Sequence, residues 1–182
     1  MLELKKISKL EGETILLRPF CLEDAKSVFN NWGKDPVATK YMLWKNYETI
    51  EDAKKAIIYY IDCYNNNSSF RQYAIVYKET NEVIGSISID ISKRHHHADL
   101  GYVLSQRMWN KGIMTEAIRC IVDYCFKELG CVRVSADVME KNIGSRKLLE
   151  KCGFTLEGIA RKKFLTKDNE FVNSYIYAII KE

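Results

Sequence analysis

Apolar residues recur along this chain with two periods, near two and near 3.6, and the switches between them mark out the elements. Residues 13–20 (E-T-I-L-L-R-P-F) read as a first strand. Residues 22–32 then place Leu22, Ala25, Val28, Phe29 and Trp32 on one helical face, and Asp35-Pro36 ends that helix. Thr49-Ile50-Glu51-Asp52 has the form of a second helix start, with Thr49 as N-cap and an acid three residues on. Ile50, Ala53, Ile57, Tyr60, Ile61 and Tyr64 follow at helical spacing until the polar run Asn65-Asn66-Asn67-Ser68-Ser69. Residues 70–77 and 83–91 are β-rich and joined by a polar turn, which predicts an antiparallel hairpin, and residues 97–104 predict a third strand after it.

Trp109-Asn110-Lys111-Gly112-Ile113-Met114-Thr115-Glu116-Ala117 is the stretch around which the remainder is arranged. A polar turn carrying a glycine runs there directly into a wide apolar face made by Ala117, Ile118, Ile121, Val122, Cys125, Phe126 and Leu129, with Gly130 as C-terminal cap. A helix N-terminus leaves its first N–H groups without internal partners and carries the positive end of the macrodipole, so it suits a phosphate. Val132, Val134, Ala136 and Val138 alternate as a further strand. With a helix between it and the preceding strand, the two are expected to run parallel. Asn142 can cap the next helix, which ends near Cys152-Gly153, and two strands, near 154–165 and 171–180, close the chain. The order β-α-α-β-β-β-α-β-α-β-β is that of a mixed α+β sheet with one central parallel pair, in a single domain spanning residues 1–182.

Composition changes this picture little. The 182 residues are 47% hydrophobic and 29% charged, ordinary for a globular chain, and 28 basic against 24 acidic side chains leave +4, too small and dispersed to argue for nucleic acid. Residues 1–10 alternate apolar and charged positions, unlike a signal peptide, and no stretch approaches the roughly 18 to 20 apolar residues that span a bilayer, so a cytoplasmic protein with no membrane partner is expected. The six cysteines show no C-x-x-C or zinc-type spacing and read as reduced thiols, and His95-His96-His97 lacks a companion ligand, so no metal site is expected. Tyr41-Met42-Leu43-Trp44 reads as core packing in preference to a pocket wall.

Four segments carry a family resemblance: Leu17-Arg18-Pro19-Phe20 with Glu23-Asp24-Ala25; Asp99-Leu100-Gly101-Tyr102-Val103-Leu104; residues 109–117; and Asn142-Ile143-Gly144-Ser145 through Leu148-Leu149-Glu150-Lys151-Cys152-Gly153-Phe154. In these the chain resembles the GNAT superfamily of acyl-CoA-dependent N-acetyltransferases, and within it the group of ribosomal-protein N-terminal acetyltransferases. The resemblance implies a mostly antiparallel, twisted sheet whose central parallel pair splays, flanked by helices. It implies that acetyl-CoA is the cosubstrate, that main-chain amides along Trp109, Asn110, Lys111, Gly112, Ile113, Met114 and Thr115 hold its pyrophosphate, and that Gly101, Tyr102 and Val103 bind the pantetheine arm, with Asn142 as a further contact or a cap. Trp109 and Met114 depart from the family's usual residues, and Met114 would limit how closely a phosphate approaches.

The implied reaction is direct attack of a primary amine on the thioester. An α-amino group, with a pKa near ~8 against ~10.4 for lysine, costs roughly 3 kcal/mol less to deprotonate at neutral pH, which favours a protein or peptide N-terminus as acceptor. Asp99 and Asp137 are the candidate bases. Leu149 stands where many members have a tyrosine for the leaving thiolate, and Ser145 is the implied substitute. The alternatives are a small amine (a polyamine, amino acid or antibiotic) or a non-catalytic acyl-CoA sensor, and the strand at 171–180 offers edges for a homodimer. A P-loop enzyme is disfavoured, since no Gly-Lys-Ser/Thr follows a glycine-rich loop.

Overall fold

The computed structural model describes residues 7–66 and 69–182; most of the 1–10 alternation, and Asn67 and Ser68 of the polar run, lie outside the described residues. The predicted strands appear as β2 (Ile15–Pro19), β3 (Phe70–Tyr77), β4 (Glu82–Ser92), β5 (His97–Leu104), β6 (Arg133–Met139), β7 (Thr155–Leu165) and β8 (Phe171–Ile180). A two-residue strand not expected from the pattern, β1 (Leu10–Glu11), pairs with β2. All eight join one sheet in the order β1-β2-β3-β4-β5-β6-β8-β7, antiparallel everywhere except between β5 and β6.

Alternation along the strands divides the interior into two layers. Tyr73, Ile75, Ile87 and Ile89 face α3 (Ile113–Lys127) and α4 (Ile143–Lys151), whereas Ala74, Val76, Val83 and Val103 face α1 (Ala25–Val28) and α2 (Ile50–Asn65). Ile118 and Ile121 are fully buried, and each contributes about 2 kcal/mol. For a 15-residue helix this packing outweighs intrinsic propensity.

The predicted first helix is one continuous helical segment of three kinds: a 3-10 turn (Leu22–Asp24), α1, and a π turn (Phe29–Gly33). Its start is fixed by Asp24, whose carboxylate accepts from both terminal nitrogens of Arg18, at 2.7 and 2.8 Å, and from the Cys21 amide at 2.9 Å. The Arg18 and Asp24 of the first resemblance segment therefore fasten β2 to the helix that follows it. Thr49 and Asp52 form the expected capping box at α2, and Asn142 caps α4 by accepting from the Ser145 amide at 3.2 Å.

One expectation is corrected. The strand at 171–180 is interior, bonded on one side to β6 and on the other to β7, so its edges are not open to a second subunit; the edge on that side is β7. Among the described residues no helix is long and apolar enough to cross a membrane.

Candidate active site

The parallel pair is short. β5 and β6 are in register only at His97–Arg133, Ala98–Val134 and Asp99–Ser135. Beyond these residues β5 keeps its bonds to β4 as far as Leu104, and β6 keeps its bonds to β8 as far as Met139. The sheet is thus intact on both outer sides and split in the middle, and backbone along the two inner edges of the split is left without a strand partner. Leu100, Gly101, Tyr102 and Val103 form one lip; Ala136, Asp137, Val138 and Met139 form the other. The split opens into a cavity of about 400 Å³.

Tyr102, Asn142 and Ser145 also line this cavity. The Tyr102 hydroxyl lies 2.6 Å from the Ser145 hydroxyl, so a side chain from β5 meets one from α4 across the split. Burial pushes the Tyr102 phenol well above its ordinary pKa, and the hydrogen bond with Ser145 only partly offsets that; the phenol is protonated at neutral pH and can donate. The Tyr102 side chain is the residue that sequence reasoning missed. The motif drew attention to its backbone, and no local pattern signals a partner 43 residues away. Leu149, at the family's tyrosine position, is fully buried in the core.

The two carboxylates are placed differently. Asp137 lines the cavity, with one oxygen 2.7 Å from Lys163 Nζ and the other accepting from the Ser174 hydroxyl at 2.6 Å. Asp99 is 61% exposed, accepts from the Ser135 hydroxyl, lies 3.8 Å from His97 Nε2, and is not part of the lining. His95 and His97 stack at 6.0 Å, and no cluster of three metal-ligating side chains is found among the described residues.

At the C-terminal end of β5 the chain makes a 3-10 turn (Gln106–Met108) and enters α3 through Gly112, whose φ of 80° is left-handed and suits glycine. The first intrahelical bond runs from the Glu116 amide to the Gly112 carbonyl, 3.0 Å. The N–H groups of Asn110, Lys111, Gly112, Ile113, Met114 and Thr115 therefore precede the helical ladder, and none has an acceptor among the described residues. A Cβ at Gly112 would meet nothing within 4 Å, so the turn is open at the glycine itself. Trp109 differs from its neighbours: its amide donates to Gln106 at 3.0 Å and its indole to the Leu104 carbonyl at 2.9 Å, so its main-chain nitrogen is not open to a phosphate. Met114 is 7% exposed and turned into the core, which removes the crowding expected from its size.

Tyr41, Met42, Leu43 and Trp44 correct a further expectation. Met42 and Trp44 do pack against the α1–α2 layer, yet all four also wall the cavity. Their loop is tied across the split: the Tyr41 hydroxyl donates to the Lys141 carbonyl at 3.0 Å, and Lys167, in the β7–β8 turn, donates to the Thr39 carbonyl at 2.9 Å and to Asn46 at 3.1 Å.

A sheet split between parallel strands, next to a helix start with open amides, defines a class of acyltransferases that thread an acyl-thioester arm through the sheet. Residues 14–155 match the family described as acetyltransferase (GNAT) domain. The chain is 31% identical over 173 residues to the uncharacterized N-acetyltransferase YoaA of Bacillus subtilis, covering 94% of this chain and 96% of that one. A GNAT-family acetyltransferase structure from Bacillus anthracis superposes with a TM-score of 0.84 at 25% identity, covering 95% and 98% of the two chains. RimL, a ribosomal L7/L12 alpha-N-protein acetyltransferase solved with coenzyme A, shares the fold with a TM-score of 0.85 at 19% identity, covering 95% and 98%. The protein belongs to the GNAT acetyltransferases and is an acetyl-CoA-dependent N-acetyltransferase.

Proposed function

We propose that the protein transfers the acetyl group to a primary amine by direct attack within the β5–β6 split, with the amine delivered from the α1–α2 side and coenzyme A lying on the α3–α4 side. The observation that carries this is the split itself, which opens into the walled cavity, with the open amides of residues 110–115 in the turn that follows β5. Amides at a helix start satisfy diphosphate oxygens, and unpaired strand edges satisfy the amides of a pantetheine arm; alternation along β5 pairs the main-chain groups of Gly101 and Val103 with β4 and turns those of Leu100 and Tyr102 to the split, so these two, with Asn142 beside them, are the groups we assign to the arm. Bound there, acetyl-CoA supplies a thioester carbon that a neutral amine can attack.

The nitrogen forms a bond to the acetyl carbon and loses one proton. The C–S bond breaks with its electron pair going to sulfur, which takes up one proton, so the products are an amide and free CoA thiol. Asp137, at the cavity, receives the amine proton directly or through water. Ser145 donates to sulfur and is resupplied by Tyr102, whose phenol burial keeps protonated.

Two acceptors are supported by different observations. The shared fold with RimL and the low pKa of an α-amino group favour a protein N-terminus. The loop tied across the split through Tyr41 and Lys167 favours a small amine, because it roofs the cavity between the two halves of the sheet. We take the small amine as the reading the geometry supports best. Thiol release from acetyl-CoA, measured with peptides bearing free N-termini, lysine peptides and small amines, tests both. Release with small amines supports this reading and release with peptides supports the other. Binding of acetyl-CoA without release with any amine contradicts the catalytic mechanism.

A further inference from the structure

Resting on the acetyltransferase reading above, we infer that the acceptor is a compact monoamine with an aromatic or branched apolar body and no acid group of its own. Phe20, Trp32, Tyr41, Trp44, Tyr60 and Phe164 converge on the cavity from the end of β2, the π turn, the roofing loop, α2 and β7. Phe20 and Tyr60 sit at 5.5 Å, and Trp44 stacks on Tyr47 at 5.0 Å, so two packed ring pairs form part of the wall. Burial keeps the Tyr47 and Tyr60 phenols neutral. A space of about 400 Å³ holds a phenyl or indolyl group on a two-carbon amine beside the end of the acyl arm.

Charge narrows the class further. Among the described residues lining the cavity, Asp137 is the one formally charged side chain. Already shared with Lys163 at 2.7 Å, it has room for at most one substrate ammonium and leaves nothing for a second, so a polyamine would bury a cation without a carboxylate partner. A carboxylate next to the reacting nitrogen would find neutral polar groups such as Gln72, Ser86, Ser88 and Asn142 but no cation in the lining. Lys163 is paired with Asp137 at 2.7 Å, and neither it nor Lys167, which donates to the neutral oxygens of Thr39 and Asn46, is part of the lining. Burying such a group unpaired is penalised more heavily than any gain from a better-shaped body.

The test is kcat/KM for thiol release from acetyl-CoA with phenethylamine, phenylalanine, phenylalaninamide, spermidine and a peptide beginning with phenylalanine. Phenethylamine is expected to be best, with phenylalanine and spermidine roughly 100-fold lower and phenylalaninamide recovering most of the loss. Phe164→Ala is expected to raise KM for phenethylamine more than for propylamine. Equal or better turnover of phenylalanine or spermidine overturns the inference, as does a peptide that outperforms phenethylamine, while each leaves the acetyltransferase reading in place. No release with any amine, despite bound acetyl-CoA, overturns both.

Discussion

In the proposed mechanism two hydroxyls 2.6 Å apart, on Tyr102 and Ser145, carry the proton that the departing sulfur needs. Substituting either one, Tyr102→Phe or Ser145→Ala, is expected to lower kcat by roughly 10- to 100-fold with little change in KM, because the group acts after the amine has bound. The double variant should be no worse than the poorer single one, since both belong to one relay. Burial raises the Tyr102 phenol, so no loss of kcat from its ionisation should appear below about pH 10. Asp137→Asn should lower kcat/KM and change the pH profile, whereas Asp99→Asn, outside the cavity, should keep the wild-type profile. From sequence the two aspartates were equivalent candidates. What separates them is where the parallel pair ends: Asp99 is still paired with Ser135, whereas Asp137 lies beyond the last pair, and that depends on the register between two strands with a whole helix between them.

Elements were legible wherever a local rule decides them. The capping box at Thr49 and Asp52, the cap at Asn142 and the left-handed Gly130 and Gly153 are all short-range chemistry. The π turn after α1 was not legible, because an apolar face of five residues reads the same whether the turn closes in four residues or five. Nor was the tether that fixes α3 from outside its own segment: the Glu116 carboxylate accepts from the Thr14 amide at 2.9 Å and the Thr14 hydroxyl at 2.6 Å, and a Cβ at Gly12 would come within 2.2 Å of it. Gly112→Ala tests the helix start. Left-handed backbone should cost about 1 kcal/mol, read by thermal denaturation, and a methyl group placed before the open amides should weaken CoA binding in a titration.

For the whole molecule, the Arg18–Asp24 pair links sheet to helix and ties global stability to pH. Burial opposes ionisation of Asp24, but the Arg18 hydrogen bonds and the Cys21 amide outweigh it and hold the carboxyl below its ordinary range. A carboxyl whose pKa is lower when folded contributes fully above its unfolded value, near ~4, and the contribution disappears as pH falls toward the folded value. Asp24→Asn should therefore cost about 2 kcal/mol at pH 7 by denaturant unfolding, with the gap narrowing as pH falls below the ordinary carboxyl range. The parallel pair followed from the helix between its strands and the mixed sheet from the resemblance; the insertion of β8 between β6 and β7 did not, nor did the roof over the cavity, which depends on Tyr41 and Lys167 reaching residues 100 and 128 positions away. The central claim is that coenzyme A places its diphosphate on the α3 amides and its thiol arm in the β5–β6 split. Amide chemical shifts followed by ¹⁵N NMR during a CoA titration test it most directly. The largest changes are expected at Asn110 through Thr115 and at Gly101 through Val103; saturable binding that leaves both stretches unmoved would contradict it.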